Sequence, residues 1–419
     1  MQIITLEKEE FDNFAKKHKY ESYLQTSNYA ELSQTNEVNV HYLGFVDNDE
    51  LVGACMCLYK KLFWGYSYAY IPRGILMDYD NPYLVNRITY GLKKLLYKQK
   101  YIFIKIDPPI IASERDCNGN ILYSSETVNN IMSTLKANNY KHMGFNLYYE
   151  TKQPRWNAFI KLKKNPREMF ESFNDDIEEQ IKLANQMGIK VVEDKDFDIE
   201  HFYDIIKNSY QKISKQYIQK MYDTFNMTDD VSVYYANLNS NDFVKNATKF
   251  YENEEMRNRS LGDMISNSDT ERYNVQKIIN DKMNSDKLLN KYKNEIVVAT
   301  NFLRKFPNGK TLAAAMVIKH KNGADCVLIS EDKELSSYHA KAITIYEMCK
   351  KYANLNLKYL SLGPVTGNFD KRSPYYHNTA DKKGFNSSII EYIGEFDLII
   401  NPLMYKVYQY KLKKKQIKL

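Results

Sequence analysis

Four short stretches hold residue types from which chemistry could be built. In Tyr70-Ile-Pro-Arg-Gly74 an arginine stands between a proline, whose φ is fixed, and a glycine, whose backbone is permissive. The donor fork of Arg73 could therefore be aimed at a carboxylate or phosphate, though an ordinary turn with a surface arginine reads the same way. Asp107, in Ile106-Asp-Pro-Pro109, stands where a buried strand should end. That is the carboxyl edge at which open α/β sheets bind ligands, while an aspartate capping the chain before two prolines is the simpler reading. Gln153, Arg155 and Trp156, within Lys152-Gln-Pro-Arg-Trp156, could form one polar and aromatic wall, or pack a loop. Finally, Lys382 and Lys383 precede Gly384 and Phe385. A tight turn at the glycine could bring a lysine to a phosphate or a developing negative charge, or could be a solvated turn before an edge strand.

Other chemistries lack their signatures. There is no GxGxxG dinucleotide fingerprint, Walker phosphate loop, GxSxG elbow or HExxH metal pair. The histidines form neither HxxxH nor HxH, and His201 in particular reads as helix packing or solvent exposure. Cys55, Cys57, Cys117, Cys326 and Cys349 make neither a disulfide framework nor a CxxC knuckle, so they read as small buried or semi-buried side chains.

The elements that must position these residues are spread along 419 residues, a length that favours two or three domains. A hydrophobic fraction of 43% with 14% aromatics excludes a largely disordered chain. The net charge of +7 permits an anionic partner such as tRNA or a phosphorylated precursor, and equally a lysine bias for solubility. No run approaches the roughly 18 apolar residues of a membrane span, and no signal-peptide pattern follows Met1, so a cytoplasmic location is expected.

In the first half, alternation predicts a hairpin of Val40 to Val46 and Leu51 to Tyr59, then strands at Tyr66 to Ile71 and Tyr101 to Ile106. A helix with Ile88, Leu92, Leu95 and Leu96 on one stripe lies between the last two. Another helix over Ser125 to Asn138 and strands at Gly144 to Tyr149 and Ala158 to Leu162 complete this half. The second half repeats the outline. A charged helical region runs from Pro166 to Gly188, and strands follow at Ile189 to Val192, Val231 to Ala236, Ile296 to Leu303, Thr311 to Ile318, Ala324 to Ser330, Leu357 to Leu360 and Phe396 to Ile400. Between Lys249 and Glu295 lies a proline-free segment of balanced charge, in which Ser268-Asp-Thr-Glu271 would cap the second of two helices. It reads as a coiled helical hairpin inserted in the second domain. The resulting expectation is two α/β domains with mixed sheets, at 1–165 and at 166–248 with 296–419, and an arm at 249–295, the C-terminal segment packing back on the first domain.

Taken in order, Tyr70-Ile-Pro-Arg-Gly74, Ile106-Asp-Pro108, Gln153-Pro-Arg155, the helical insertion, Ser361-Leu-Gly363, Lys382-Lys-Gly-Phe385 and Glu391-Tyr-Ile-Gly-Glu-Phe-Asp397 resemble the Fem family of aminoacyl-tRNA-dependent peptidyltransferases over essentially the whole chain. The resemblance implies tandem acetyltransferase-like (GNAT-like) domains with a tRNA-facing helical arm. It also implies an aminoacyltransferase that moves an amino acid from the 3′ end of its tRNA to an amine on the stem peptide of a lipid-linked peptidoglycan precursor, at the inner membrane face. Lys382 matches the family lysine implicated in handling the tRNA terminus and stabilising charge during transfer, whereas Asp381 replaces the usual phenylalanine. Arg73, Asp107, Gln153, Arg155, Trp156 and Lys383 are the expected substrate-binding residues, with Arg73 and Arg155 toward the precursor's anionic groups. No cofactor is implied, because the ester to tRNA already activates the acyl group. The early Gln25-Thr-Ser-Asn-Tyr29 and the later Lys215 to Tyr222 depart from the family pattern, and no role is transferred to them. Two other readings share the architecture or the arm: an acetyl-coenzyme A-dependent N-acyltransferase, although no Q/RxxGxG/A loop is present, and a noncatalytic tRNA- or envelope-binding protein. An ATP-dependent peptide ligase lacks its phosphate-binding element.

Overall fold

A computed structural model describes residues 1–266, 275–377 and 379–416. Among them two mixed sheets are built on one plan. In the first, Gln2–Thr5, Val38–Asp47, Glu50–Lys61 and Ser67–Ile71 form an antiparallel meander, and Tyr101–Ile106 then lies parallel to Ser67–Ile71. In the second, Lys190–Asp194, Val231–Leu238, Lys310–Lys319 and Gly323–Glu331 form the meander, and Tyr359–Pro364 lies parallel to Gly323–Glu331. A parallel neighbour needs a crossover, and each sheet has a helix there: Pro82–Lys98 in the first and Ala340–Asn354 in the second. This repeat is the tandem acetyltransferase-like arrangement that the sequence implies.

The crossover helices form for local reasons. Asn81 caps the first by accepting from the Leu84 amide, Pro82 occupies a position that needs no donor, and Leu84, Val85, Ile88, Leu92 and Leu96 bury one face. The second buries Ile343, Ile345, Met348, Cys349 and Tyr352 and keeps Glu347, Lys350 and Lys351 on its outer face. Four of the five cysteines are buried as free thiols, in keeping with their reading as small core side chains.

Sheet membership does not follow the boundary at 165. Trp156–Lys161 and Ile111–Arg115 both lie in the second sheet, and Phe396–Ile399, from the far end of the chain, inserts in the first between Tyr101–Ile106 and Tyr140–His142. The final helix, Pro402–Gln416, then packs Met404 and Tyr405 on Ile102 and Phe103. The chain thus passes between sheets four times, along 107–110, 125–139, 143–155 and 393–395.

Three sequence readings are corrected. The expected strand at Gly144 to Tyr149 is a loop, opened by Gly144 at φ 106°. Its Asn146 carbonyl accepts from Arg155 and Trp156 side chains rather than from a ladder. The expected strand at Ile296 to Leu303 is helical, the continuation of Val275–Lys305. Its β-branched residues mimic a strand, but only Ala299 and Phe302, three apart, are buried, while Val297 and Val298 face solvent. Gly384 does not supply an unusual φ. It closes the short helix Ala380–Gly384 at a close approach, where a Cβ would lie 2.9 Å from Ile177 and 3.3 Å from Asn174, whose amide donates to the Gly384 carbonyl.

The inserted hairpin pairs Ser240–Ser266 with Val275–Lys305. Phe250 meets Tyr292 at 5.9 Å, and Asn258 donates to Asp286 at 2.7 Å while accepting from Lys282 at 2.7 Å. Met283 is exposed, and Ser285 is buried. The proposed cap at Ser268 to Glu271 lies outside the described residues.

Replacing Gly384 with alanine should lower stability by about 1–3 kcal/mol through overpacking, even though alanine is the better helix former. The urea unfolding midpoint reads this, and a midpoint equal to or above that of the unaltered protein would show that the helix contact tolerates a methyl group.

Candidate functional site

The first parallel pair ends in a clamp. Ser67–Ile71 stops at Pro72, and Arg73 follows in the left-handed region at φ 49°, a conformation that costs about 1–3 kcal/mol for a residue with a side chain. Asp107, at the end of the neighbouring strand, holds it there: Oδ1 accepts from the Arg73 amide at 2.5 Å and Oδ2 from the Tyr70 hydroxyl at 2.6 Å. Asp107 is only 2% exposed. Burial pushes its carboxyl up to about 6, against the opposing pull of the Arg73 cation and of its two hydrogen bonds. The guanidinium so aimed donates to the Pro154 carbonyl at 2.8 Å and stacks over Tyr392 at 4.5 Å.

The second parallel pair opens instead of closing. Gly323–Asp325 pairs with Tyr359–Ser361, and the two strands then part. A cavity of about 240 Å³ occupies the opening, lined by Cys326 and Val327 on one arm, Gly363 and Pro364 on the other, and Arg73 and Gln153 from across the sheets. Lys382 reaches its rim: on the short helix Ala380–Gly384, its Nζ donates to the Pro364 carbonyl at 2.9 Å. Burial, then the Lys341 cation, push the Lys382 ammonium down to about 8, while Asp381 works the other way. Asp381 itself pairs with Lys341 and accepts from the Lys382 amide.

The expected residues therefore separate into two groups. Arg73 and Gln153 line the cavity, Asp107 stands directly behind Arg73, and Lys382 borders the rim. Arg155, Trp156 and Lys383 do not face it. Arg155 is buried in an ion pair with Glu391 and donates to the Asn146 carbonyl at 3.0 Å. Trp156 donates to the same carbonyl at 3.0 Å and lies flat on Gly367, where a Cβ would come within 2.3 Å of the indole. Lys383 is buried, with Nζ 4.3 Å from the centre of Phe369 and 4.5 Å from that of Tyr376, and burial pushes it down to about 8.

Among the cavity residues to which sequence reasoning gave no role are Glu21, Tyr23, His320, Asp325, Tyr359 and Tyr392. His320 and Asp325 flank the tight turn Lys321-Asn-Gly323, and that spacing was the available signal that they meet across a hairpin. Among the described residues no group of three or more His, Cys, Asp or Glu side chains could hold a metal ion. No described helix is long and apolar enough to cross a membrane.

Comparison with known proteins agrees with this architecture. The model of the FemAB family matches residues 6–414. The chain belongs to the FemAB family. It is thereby an aminoacyltransferase of the Fem kind, the enzymes of peptidoglycan bridge formation. This FemAB protein is 23% identical, over its full length and 98% of the relative's, to the lipid II:glycine glycyltransferase of Staphylococcus haemolyticus. It is 22% identical to the protein of the same description from Staphylococcus aureus, with the same coverage. The crystal structure of FemX shares the fold, with a TM-score of 0.76 at 21% identity over 97% of this chain and 99% of the other.

The Asp107 clamp has a pH signature. A carboxyl whose folded value of about 6 lies above its unfolded value of about 3.9 favours the native state while protonated. The native state therefore loses stability relative to the unfolded chain as pH rises from about 4 through 6, by about 3 kcal/mol in all for a two-unit shift. Asp107→Asn keeps an acceptor for the Arg73 amide and lacks the charge, so its urea midpoint should gain on that of the unaltered protein across this window. A difference that stays constant from pH 4 to 7 would refute the assignment.

Proposed function

We propose that this chain transfers an amino acid from aminoacyl-tRNA to an amine on the stem peptide of a lipid-linked peptidoglycan precursor, building the interpeptide bridge. The observation that carries this reading is the cavity at the parting strands, with an arginine clamped on one wall and a lysine at the rim. The names of the two staphylococcal relatives agree with a lipid-linked acceptor.

Arg73 is the residue for the precursor's anionic groups. Its guanidinium donates to the Pro154 carbonyl and stacks on Tyr392, and its backbone is held by Asp107. Gln153 orients the same substrate. Lys382 sits beside the ester between the amino acid and its tRNA. As the amine attacks the ester carbonyl, the new N–C bond leaves a negative charge on oxygen, which an ammonium in a partly dry site stabilises more in the transition state than in the ground state. Collapse breaks the C–O bond, and the ribose oxygen leaves with a proton. The ester supplies the activation, so neither a metal nor a nucleotide is called for. Arg155, Trp156 and Lys383 act by holding the surrounding loops. The chain works in the cytoplasm, peripheral to the membrane where its acceptor is anchored, and the helical hairpin, a short coiled pair, meets tRNA or a partner transferase.

Transfer of labelled amino acids from a mixed pool of charged tRNAs to purified lipid-linked precursor, with the product read by mass spectrometry, tests the reading. Lys382→Ala should reduce the rate by about 100-fold or more, and an undiminished rate would remove the lysine from the mechanism. Because the Lys382 ammonium titrates at about 8, its charge is present below that pH and lost above it. The rate of Lys382→Arg, which stays charged, should therefore rise relative to that of the unaltered enzyme between pH 7 and 8.5. A flat ratio would mean that the charge of Lys382 does not matter.

A further inference from the structure

The cavity contains a carboxylate that the reading above leaves unused. Asp325 lines it and is a quarter exposed, and its Oδ2 lies 3.2 Å from His320 Nε2. Its other oxygen has no hydrogen-bond partner among the described residues, and no lysine or arginine lies within ion-pairing distance. The second carboxylate of the cavity, Glu21, is fully occupied, accepting from the Lys321 amide at 2.7 Å and from the Asn322 side chain at 3.3 Å.

The surroundings of Asp325 suit a cation. Tyr23, Tyr359 and Tyr392 line the same cavity, and burial pushes each hydroxyl up, with the Asp325 charge adding to it in all three. Aromatic rings about a carboxylate make a good receptor for an ammonium group. His320, whose side chain is only 7% exposed, also lines the cavity, and its Nδ1 is buried without a partner. A buried polar atom left unpaired costs stability, so a side chain held this way is retained for something other than packing. With Nε2 turned to Asp325, the imidazole fixes one carboxylate oxygen and leaves the other toward the cavity.

We propose that Asp325 is the subsite for the primary ammonium group of the acceptor, walled by Tyr23, Tyr359 and Tyr392, with His320 as the positioning residue. The proposal rests on the transferase reading only for the identity of the ligand. It divides the acceptor's charges between Arg73, which takes its anionic groups, and Asp325, which takes its amine, so the nucleophile is selected by charge before it is deprotonated.

The probes are two peptides that are identical except at one side-chain amine, free in one and N-acetylated in the other. Their affinities for the full-length protein are read by calorimetry without tRNA, so the result does not depend on turnover. The unaltered protein should bind the free-amine peptide about tenfold more tightly or better. Asp325→Asn, which keeps the shape, should bring that ratio close to one while leaving affinity for the acetylated peptide unchanged. His320→Ala should reduce the ratio and His320→Gln, which can still donate to Asp325, should restore it. An unaltered protein that binds both peptides alike or neither, or an Asp325→Asn variant that still discriminates, would overturn the proposal. Discrimination by a protein that transfers no amino acid would leave the subsite standing and remove the transferase reading.

Discussion

Two of the four crossings that the chain makes between the two sheets are held together by buried charge. Along 143–155 the chain leaves Tyr140–His142 in the first sheet for Trp156–Lys161 in the second, and along 393–395 it makes the reverse passage from Ser388–Tyr392 to Phe396–Ile399. Arg155, at the end of the first of these, pairs directly with Glu391, in the strand that leads into the second, and Ser113 and Arg115 complete the shell around Glu391. Glu395 takes Lys105 at 3.1 Å and the Lys152 amide, so it joins the segment 393–395 to both the first sheet and 143–155. Burial works against the charge of Lys105, yet Asp397 and Glu395 hold its pKa above the usual value. A buried pair of this kind adds little net stability, but removing one partner leaves an uncompensated charge at a cost of about 3–5 kcal/mol. Its effect is therefore specification: the loops carrying Gln153 and Pro154 can occupy one place only, and Arg73, which donates to Pro154, inherits that place.

Within this frame the two repeats differ at one point, and the difference creates the site. In the first sheet the parallel strands stay paired from Ser67 to Ile71 and end together in the Asp107 clamp. In the second they pair over three residues and part. Beyond the parting the two strands no longer pair with each other, and the Pro364 carbonyl accepts from Lys382 Nζ. One repeat thus contributes a rigid arginine and the other an opening with a lysine at its edge, so the two halves of a duplicated architecture make different contributions to this cavity.

Much of this was legible from sequence because the relevant signals are local. Tyr101 to Ile106 is a strand at the bounds its apolar run gives, and Arg73 and Asp107 stand at adjacent strand ends as their flanking prolines imply, while the first crossover helix, expected from Asn86 to Lys98, starts earlier, at Pro82. What failed was non-local. Ile296 to Leu303 has strand-like residues, and only the contact of Phe302 with Phe243, 5.9 Å between rings, shows that a helical period is in force. Gln153, Arg155 and Trp156 looked like one wall because they are close in sequence, yet the chain turns between them, so Gln153 meets the cavity while its neighbours meet the Asn146 carbonyl. Glu21, Asp325 and Tyr392 come from three distant segments, and only the fold brings them together.

The adjacent lysines show how position in a fold separates residues that sequence cannot. Both ammonium groups are pushed down to about 8, chiefly by burial, so titration alone does not distinguish them. Their neighbours do. Lys383 Nζ lies between two aromatic rings, with only a 3.5 Å contact to the Asn368 carbonyl besides, and stays committed to packing. Lys382 Nζ donates to a single carbonyl at the cavity rim, and Lys341, whose cation depresses it, is itself paired with Asp381. The aspartate that departs from the family pattern therefore does not take the ammonium of Lys382 as its ion-pair partner. It accepts from the Lys382 backbone and neutralises the competing cation, so the lysine keeps donors to offer to a charge that develops in the cavity.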